Sequence, residues 1–170
     1  MADALLRTDP VSGRAFAGDD VKISLAAPMV RYSLRARQPE VLERPLGLKL
    51  SRQIGATLNG AACLGPDEWL LRAPAGTSLT TAAGLPVAIT EVSERSVCLI
   101  VEGVRAAEVL AAGCPLDLDR YALGRATRTV FETVEIVLLR TGEERFEVEV
   151  WRSFAPWLNT ALQTAAGQLR

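Results

Sequence analysis

Alternation of apolar and polar residues predicts that most of this chain is β-sheet. In the clearest segment, "VRYSLRAR" (30–37), even positions are apolar and odd positions are polar, as in a half-buried strand. Weaker alternation predicts another strand over 21–27. Residues 55–74 predict a hairpin whose turn is Gly-Pro-Asp-Glu, with the proline preset for a turn position. Further strands are predicted over 87–103, on both sides of a polar "SER", and over 128–151.

Two segments have the period of a helix instead. Residues 104–113 carry an apolar stripe that ends at a glycine, and residues 153–166 have a proline in the first turn, where its missing N–H does little harm. A short helix is also predicted over 76–86. Residues 38–55 contain two prolines and two glycines and are predicted to be irregular, apart from a helical turn that can begin at 41–42.

This order of elements predicts an α+β fold of mostly antiparallel sheets with a few helices. We expect a loose N-terminal arm at 1–20 and a single domain over 21–170, which divides into two similar lobes at 21–86 and 87–170. The 170 residues and 49% apolar content are sufficient for one hydrophobic core of this size.

Composition narrows the classes of function. The net charge of −1 gives no overall attraction to nucleic acid or to an anionic membrane. No apolar run reaches the ~20 residues of a membrane span, and the first residues lack the pattern of a signal peptide, so a soluble, cytoplasmic protein is expected. Since the chain has no histidine, Ser-His-Asp and Cys-His catalysis and His-ligated metal sites are excluded. The three cysteines form neither a disulfide framework nor a CxxC site.

Cys114, in "AAGCPLDLDRYALGRATRT" (111–129), is the one cysteine whose surroundings suggest chemistry. A reactive thiolate needs a base, a metal or a helix N-terminus. Cys114 instead follows the predicted end of a helix, where the dipole disfavours an anion. We therefore expect a small apolar residue filling a turn. The Asp-x-Asp of Asp117 and Asp119 could bind a hard cation, but turn chemistry explains it more simply.

Charge is unevenly distributed between two segments. Residues 29–52 hold six basic and two acidic residues, a net of +4, and residues 130–150 hold six acidic and two basic residues, a net of −4. One interpretation is that the two segments are neighbouring surface strands that compensate each other. The other is that the arginines contact an acidic partner or an anion. The candidate contact residues are Arg31, Arg35, Arg37, Asp117, Arg125, Arg128, Trp151 and Trp157.

Five segments together resemble the gamma subunit of the heterotetrameric sarcosine oxidases. They are "LGPDEWLLRAP" (64–74), "TEVSERSVCLIVEG" (90–103), "AAEVLAAGCPLDLD" (106–119), "RTVF" (128–131) and "ERFEVEVWRSFAPWL" (144–158). Two positions depart from that family's pattern: Glu91 stands where an aspartate is usual, and Val104 where proline is frequent.

The resemblance implies a fold similar to the folate-binding domain of the glycine-cleavage aminomethyltransferases. It also implies a complex that oxidatively demethylates sarcosine to glycine, with tetrahydrofolate as the one-carbon acceptor. In that family FAD, FMN, NAD and the recognised folate site belong to partner subunits, and the gamma subunit has no established catalytic residue. The partners implied are the alpha, beta and delta subunits.

Three functions follow from these observations. The first is an accessory, non-catalytic subunit with no cofactor of its own. The second is a tetrahydrofolate-binding one-carbon module, and the third is a stand-alone scaffold without enzyme partners. An isolated chain of the first kind exposes interface surface and could form a homodimer.

Overall fold

Two antiparallel β-sheets lie face to face; among the described residues, one sheet carries two helices on its outer side and the other carries one. The computed structural model describes residues 9–11, 14–79 and 84–168 of the chain. The resulting layers of helix, sheet, sheet and helix confirm the predicted α+β fold.

The chain begins in sheet 1, builds all of sheet 2 and then returns to sheet 1. In chain order they are β1 (Phe16–Ala17), β2 (Lys22–Leu25), β3 (Met29–Ala36), β4 (Thr57–Leu58), β5 (Ala61–Gly65), β6 (Glu68–Pro74), β7 (Val87–Glu91), β8 (Ser96–Glu102), β9 (Ala126–Phe131), β10 (Val134–Gly142) and β11 (Arg145–Trp151). Sheet 1 has the order β1-β2-β8-β11-β10-β9, and sheet 2 has the order β4-β5-β6-β3-β7. The helices are α1 (Pro39–Leu46), α2 (Ala106–Ala111) and α3 (Ala155–Gln168).

Most predicted elements are present. The hairpin of β5 and β6 turns at Pro66 and Asp67, and β7 and β8 flank the polar "SER" segment. Helices α2 and α3 lie within or close to their predicted ranges. The short helix predicted over 76–86 includes residues 80–83, which lie outside the described residues.

Helix α1 contradicts the irregular structure predicted for 38–55. Pro39 lies in its first turn, where it costs no hydrogen bond, and Pro45 lies one residue before its end. Gly47 then adopts a left-handed conformation with φ 66° and donates its N–H to the Glu43 carbonyl at 2.9 Å. Pro39 and Gly47 therefore stand at the helix termini, where each is favoured, while Pro45 inside the last turn gives up one helical hydrogen bond. The helix buries Leu42 completely against sheet 2.

Each sheet has its own apolar core on the side that faces its helices. Leu99, Val148 and Leu158 belong to the core between sheet 1 and helices α2 and α3. Leu34 and Trp69 belong to the core between sheet 2 and α1. A third, smaller cluster lies between the sheets and is formed by Ala62, Ala126 and Leu139.

The N-terminal segment joins sheet 1 through β1 and β2. Its course is tied to α3 because Asn159 and Gln163 both donate side-chain hydrogen bonds to the Arg14 carbonyl, at 3.1 and 2.7 Å. Residues 1–8 and 12–13 of the predicted arm lie outside the described part of the chain.

Candidate functional site

Arg31 lies between the two sheets rather than on a surface. Its Nε donates to the Glu149 carboxylate at 2.6 Å, and its Nη1 donates to the Met29 carbonyl at 3.2 Å. Its backbone N–H donates to the Ser93 hydroxyl at 3.0 Å, and that hydroxyl donates to Glu91 at 2.8 Å. Arg31 and Glu149 are 4% and 3% exposed, so this is a buried ion pair.

Arg72 extends the same buried cluster. It is the register partner of Arg31 on the neighbouring strand. Its Nη1 donates to Glu147 at 2.6 Å and lies 3.5 Å from a Glu149 oxygen. Two guanidiniums from sheet 2 therefore face two carboxylates from sheet 1, and the charges cancel within the inter-sheet space. Partners on both sides offset the large cost of burying these charges.

The predicted exposure of Arg31 is wrong, while charge compensation between the two segments is confirmed by its ion pair with Glu149. At this position sheet 1 covers the polar face of β3. The alternation of apolar and polar residues in β3 therefore corresponds to two buried faces, not to one buried and one solvent-exposed face. Along the same face, Ser33 is half-buried, and Arg35 and Arg37 are exposed.

Cys98 lies beside this cluster, with its Sγ 3.9 Å from Arg72 Nη1. Burial raises the pKa of the Cys98 thiol well above its ordinary value, and the Glu149 charge adds to that effect. Burial likewise raises the pKa of Cys63. Neither thiol is therefore placed for nucleophilic chemistry.

A second set of charges ties the sheets together where the cleft between them opens. Glu68 of sheet 2 binds Arg128 of sheet 1 at 2.5 and 3.2 Å, and Arg35 of its own sheet at 3.0 Å. The hydrogen bond from Arg128 lowers the pKa of the Glu68 carboxyl, and the charges of Arg128, Arg35 and Arg95 lower it further against partial burial. Three guanidiniums thus act on one carboxylate.

Sheet 1 extends beyond sheet 2 at this opening. Along β11 the face toward sheet 2 carries Glu147, then Glu149, then Trp151, because alternate residues share a face. The two glutamates are mostly covered, with side chains 14% and 3% exposed, whereas Trp151 at the end of the strand is 46% exposed. On the edge strand β9 the same change occurs from fully buried Ala126 to Val130, which is 37% exposed.

Aromatic side chains cover the protruding end of sheet 1. The Arg95 guanidinium lies 5.6 Å from the centre of the Trp151 ring, and the Phe154 ring lies 6.5 Å from it. Phe154, just before α3, and Trp157, in its first turn, are 46% and 40% exposed. We call the group of Trp151, Phe154 and Arg95 the aromatic rim.

The structure therefore brings together some of the candidate contact residues and separates others. Arg35, Arg128 and Trp151 lie near the opening of the cleft, whereas Trp157 lies in the first turn of α3. Asp117 accepts the Arg120 backbone N–H at 3.3 Å within a turn. The Arg125 guanidinium stacks 5.7 Å from the centre of the Tyr121 ring.

Cys114 is 5% exposed and packs in the core of sheet 1. This confirms the expectation of a small apolar residue that fills a turn. Its backbone N–H donates to the Leu110 carbonyl at 2.9 Å at the end of α2. In the described part of the chain, no three His, Cys, Asp or Glu side chains gather as metal ligands.

Sequence reasoning missed Arg72, Glu149 and Arg95 as members of these clusters. One signal was available for Arg72. In β6, buried Trp69 and Leu71 lie on one face, and Leu70 and Arg72 lie on the other. The face that carries the arginine therefore also carries an apolar residue, as a covered face does. Nothing comparable marks Arg95, whose position depends on the pairing of Ser96 with Trp151.

The cavities between the sheets are small. One of about 150 Å³ is lined by Arg31, Ser96 and Cys98, and one of about 40 Å³ lies beside Arg128 and Trp151. Pockets for drug-sized ligands usually measure about 300–1,000 Å³, and tetrahydrofolate is a ligand of that size. Because ion pairs occupy the inter-sheet space, the residues present there do not fit tetrahydrofolate.

No described helix is long and apolar enough to cross a membrane.

The sequence of this chain is similar to those of known proteins. Residues 27–168 match the model of the sarcosine oxidase, gamma subunit family. The gamma subunit from Arthrobacter sp. is 34% identical over 63% of this chain, and the match spans 59% of that subunit. The gamma subunit from Corynebacterium sp. strain P-1 is 32% identical over 75% of this chain and 70% of its own length.

Two solved structures share the fold. A chain of the heterotetrameric sarcosine oxidase from Corynebacterium sp. U-96, solved with pyrrole 2-carboxylate, has a TM-score of 0.82 and 26% identity, with 95% of each chain covered. The glycine cleavage system aminomethyltransferase T from Bartonella henselae has a TM-score of 0.66 and 20% identity over 84% of this chain and 45% of its own. The second likeness concerns the fold alone.

Proposed function

Since the chain belongs to the sarcosine oxidase gamma subunit family, we propose that it is an accessory, non-catalytic subunit of a heterotetrameric sarcosine oxidase or of a related N-methyl amine oxidase. The observation that carries this proposal is the match, over 95% of both chains, to a chain of a heterotetrameric sarcosine oxidase. Oxidative demethylation of sarcosine to glycine then takes place on other subunits.

The chemistry of the cleft supports a structural role. The carboxylates of Glu68, Glu147 and Glu149 are each held by arginine, so they are poorly placed to exchange protons with a substrate. The chain has no histidine, and burial keeps the Cys98 thiol protonated by raising its pKa. These groups instead hold two sheets in a fixed arrangement, as a subunit that supports neighbours requires.

Under this proposal the partners are the alpha, beta and delta subunits, and FAD, FMN and NAD are bound by those subunits. Three of the eight candidate contact residues, Arg35, Arg128 and Trp151, lie around the opening of the cleft, which supports a contact surface there. The small inter-sheet cavities count against tetrahydrofolate binding between the sheets.

Co-expression tests the proposal. The genes for the other three subunits are expressed with and without this chain, and assembly is followed by size-exclusion chromatography with flavin absorbance. We expect a flavin-bearing complex that contains this chain in fixed stoichiometry, and a lower yield of assembled complex when it is omitted. A chain that never elutes with the other subunits would instead support the stand-alone scaffold.

A further inference from the structure

We propose that the Asn59–Gly60 pair, at the tip of the β4–β5 hairpin, is a modification site in the folded chain. The Asn59 side chain loses its amide there through a cyclic imide that it forms with the backbone nitrogen of Gly60. The products are aspartate and isoaspartate, and the co-reactant is water. This chemistry belongs to the chain itself and is independent of the accessory role.

The turn of the hairpin requires this pair of residues. Leu58 and Ala61 are partners across the turn, so Asn59 and Gly60 alone connect the strands. Their φ angles are 51° and 78°, and a two-residue loop with positive φ at both positions is a type I′ turn, which favours Asn-Gly. A Cβ on Gly60 would lie 2.7 Å from the Arg72 carbonyl oxygen. The fold therefore retains glycine directly after an asparagine.

The attacking nitrogen is accessible. Asn59 and Gly60 are both exposed, and glycine has no side chain that hinders approach to its backbone nitrogen. The Gly60 carbonyl accepts the Arg72 N–H at 2.9 Å, whereas the Gly60 N–H donates to no acceptor among the described residues. This N–H therefore faces water, which can take its proton.

One hydrogen bond restrains the side chain that reacts. Asn59 Nδ2 donates to the Lys49 carbonyl at 3.1 Å. Both residues are exposed, so water can replace this bond with a small net change in free energy. The carboxamide is then free to rotate until its Cγ approaches the Gly60 nitrogen.

Asn159, the second of the two asparagines in the chain, has the opposite surroundings. It lies within α3, is 2% exposed and donates to the Arg14 carbonyl at 3.1 Å. The residue after it is Thr160, whose branched side chain crowds its backbone nitrogen. Asn159 is therefore an internal control for the reaction at Asn59.

The reaction has two steps. In the first, the Gly60 nitrogen gives its proton to water and bonds to the Asn59 Cγ, the Cγ–Nδ2 bond breaks, and the amide group takes a proton from water and leaves as ammonia. In the second, water adds to one carbonyl of the cyclic imide. Breaking the bond from nitrogen to Cγ gives aspartate, and breaking the bond from nitrogen to the backbone carbonyl carbon gives isoaspartate. No atom is oxidised or reduced.

Either product disturbs the hairpin. A carboxylate replaces the amide, so an acceptor faces the Lys49 carbonyl where a donor was. Isoaspartate also adds a carbon to the backbone of a turn that fits two residues. Strand β4 contacts sheet 1 through a hydrogen bond from the Thr57 N–H to the Gly124 carbonyl at 3.2 Å. We therefore expect modification to weaken the edge of sheet 2 where it meets sheet 1.

The test is peptide mapping by mass spectrometry of the purified full-length chain during incubation at pH 6 and pH 8. We expect progressive loss of the Asn59 amide to both aspartate and isoaspartate, with Asn159 unchanged. The loss should be faster at pH 8, because the Gly60 nitrogen reacts after it loses its proton. The melting temperature of the incubated chain should fall as the modified fraction rises.

The matched variant is Asn59→Gly, which tolerates positive φ and has no amide. It should keep its mass and its melting temperature through the same incubation, and circular dichroism establishes that it is folded.

Three results would overturn the proposal. The first is an Asn59 that keeps its amide in the folded chain at pH 8 and loses it only in denaturant, since the fold would then protect the site. The second is equal loss at Asn59 and Asn159. The third is aspartate without isoaspartate, which would indicate direct hydrolysis by water and no cyclic imide.

Discussion

Glu149 accepts a hydrogen bond from Arg31 and lies 3.5 Å from Arg72, and these arginines belong to neighbouring strands of the opposite sheet. Replacing it by glutamine leaves two guanidiniums with less negative charge in a buried space. Breaking a buried ion pair by removing one partner typically costs about 3–5 kcal/mol. We expect Glu149→Gln to lower the free energy of unfolding by a similar amount, measured by urea denaturation.

The control for this substitution is Glu143→Gln, in the exposed turn between β10 and β11, which should change stability by less than about 0.5 kcal/mol. A Glu149→Gln variant as stable as the control would show that the buried cluster contributes little to folding.

The buried thiols lead to a second expectation. Burial raises the pKa of Cys98 and of Cys63, so at pH 8 both remain protonated as well as shielded. A disulfide-exchange reagent should label neither residue in the native protein and both in denaturant, as read by mass spectrometry. Rapid labelling of Cys98 in the native protein would contradict the described packing.

Cys114 has the role of a packing residue. Cys114→Ala should leave the chain folded and able to assemble, with a loss of stability of about 1 kcal/mol from the vacated volume. The checks are thermal unfolding and co-elution with the other subunits. Loss of oxidase activity in a fully assembled complex would instead indicate that the thiol takes part in chemistry.

At the scale of elements, the link between Glu68 on β6 and Arg128 on β9 joins the open ends of the two sheets. The hydrogen bond from Arg128 lowers the pKa of Glu68, so its contribution to stability is present above the unfolded pKa, near 4.5. This contribution is lost as the pH falls through the lower pKa that Glu68 has in the folded protein. Wild-type stability should therefore decline more steeply below about pH 4.5 than that of Glu68→Gln.

The pH dependence is measured by urea denaturation from pH 3 to pH 7, and Glu144→Gln, in the exposed turn before β11, is the control. Equal slopes for the wild type and Glu68→Gln would show that the ion pair makes no difference to folding.

Gly103 fixes the connection between the N-terminal segment and the loop before α2. It has φ 124°, and an added Cβ would overlap the Asp20 carbonyl. We expect Gly103→Ala to destabilise by about 1–3 kcal/mol. Gly167→Ala is the matched control, because nothing lies within 4 Å of its added Cβ and alanine favours the helix. Thermal unfolding compares them; equal melting temperatures would contradict the described approach of Asp20.

The spacing of apolar and polar residues predicted those elements whose pattern lies within one short segment of the sequence. Alternation in β3 and the proline turn of the β5–β6 hairpin are properties of the sequence alone, and both are present. Helix α1 was missed because Pro39 and Pro45 read as helix breakers when the helix ends are not known. The burial of Arg31 was missed because it depends on sheet 1 covering sheet 2, a contact with Glu149 at a separation of 118 residues. The clustering of Arg95 with Trp151 likewise depends on strand register.

For the whole molecule, the described residues form two sheets joined by buried ion pairs, with exposed aromatic side chains at one end of sheet 1. Such a chain can stabilise a complex without contributing groups to the reaction. The contribution should therefore appear in the lifetime of the complex and not in its turnover.

The most direct test of this account compares assembled complexes with and without the chain. Sarcosine oxidation per bound flavin is measured at once and then during incubation at elevated temperature. We predict equal initial turnover per flavin and a shorter half-life of activity without the chain. Turnover that falls to background in a flavin-loaded complex lacking the chain would assign it a catalytic role, and an equal half-life would remove its stabilising role.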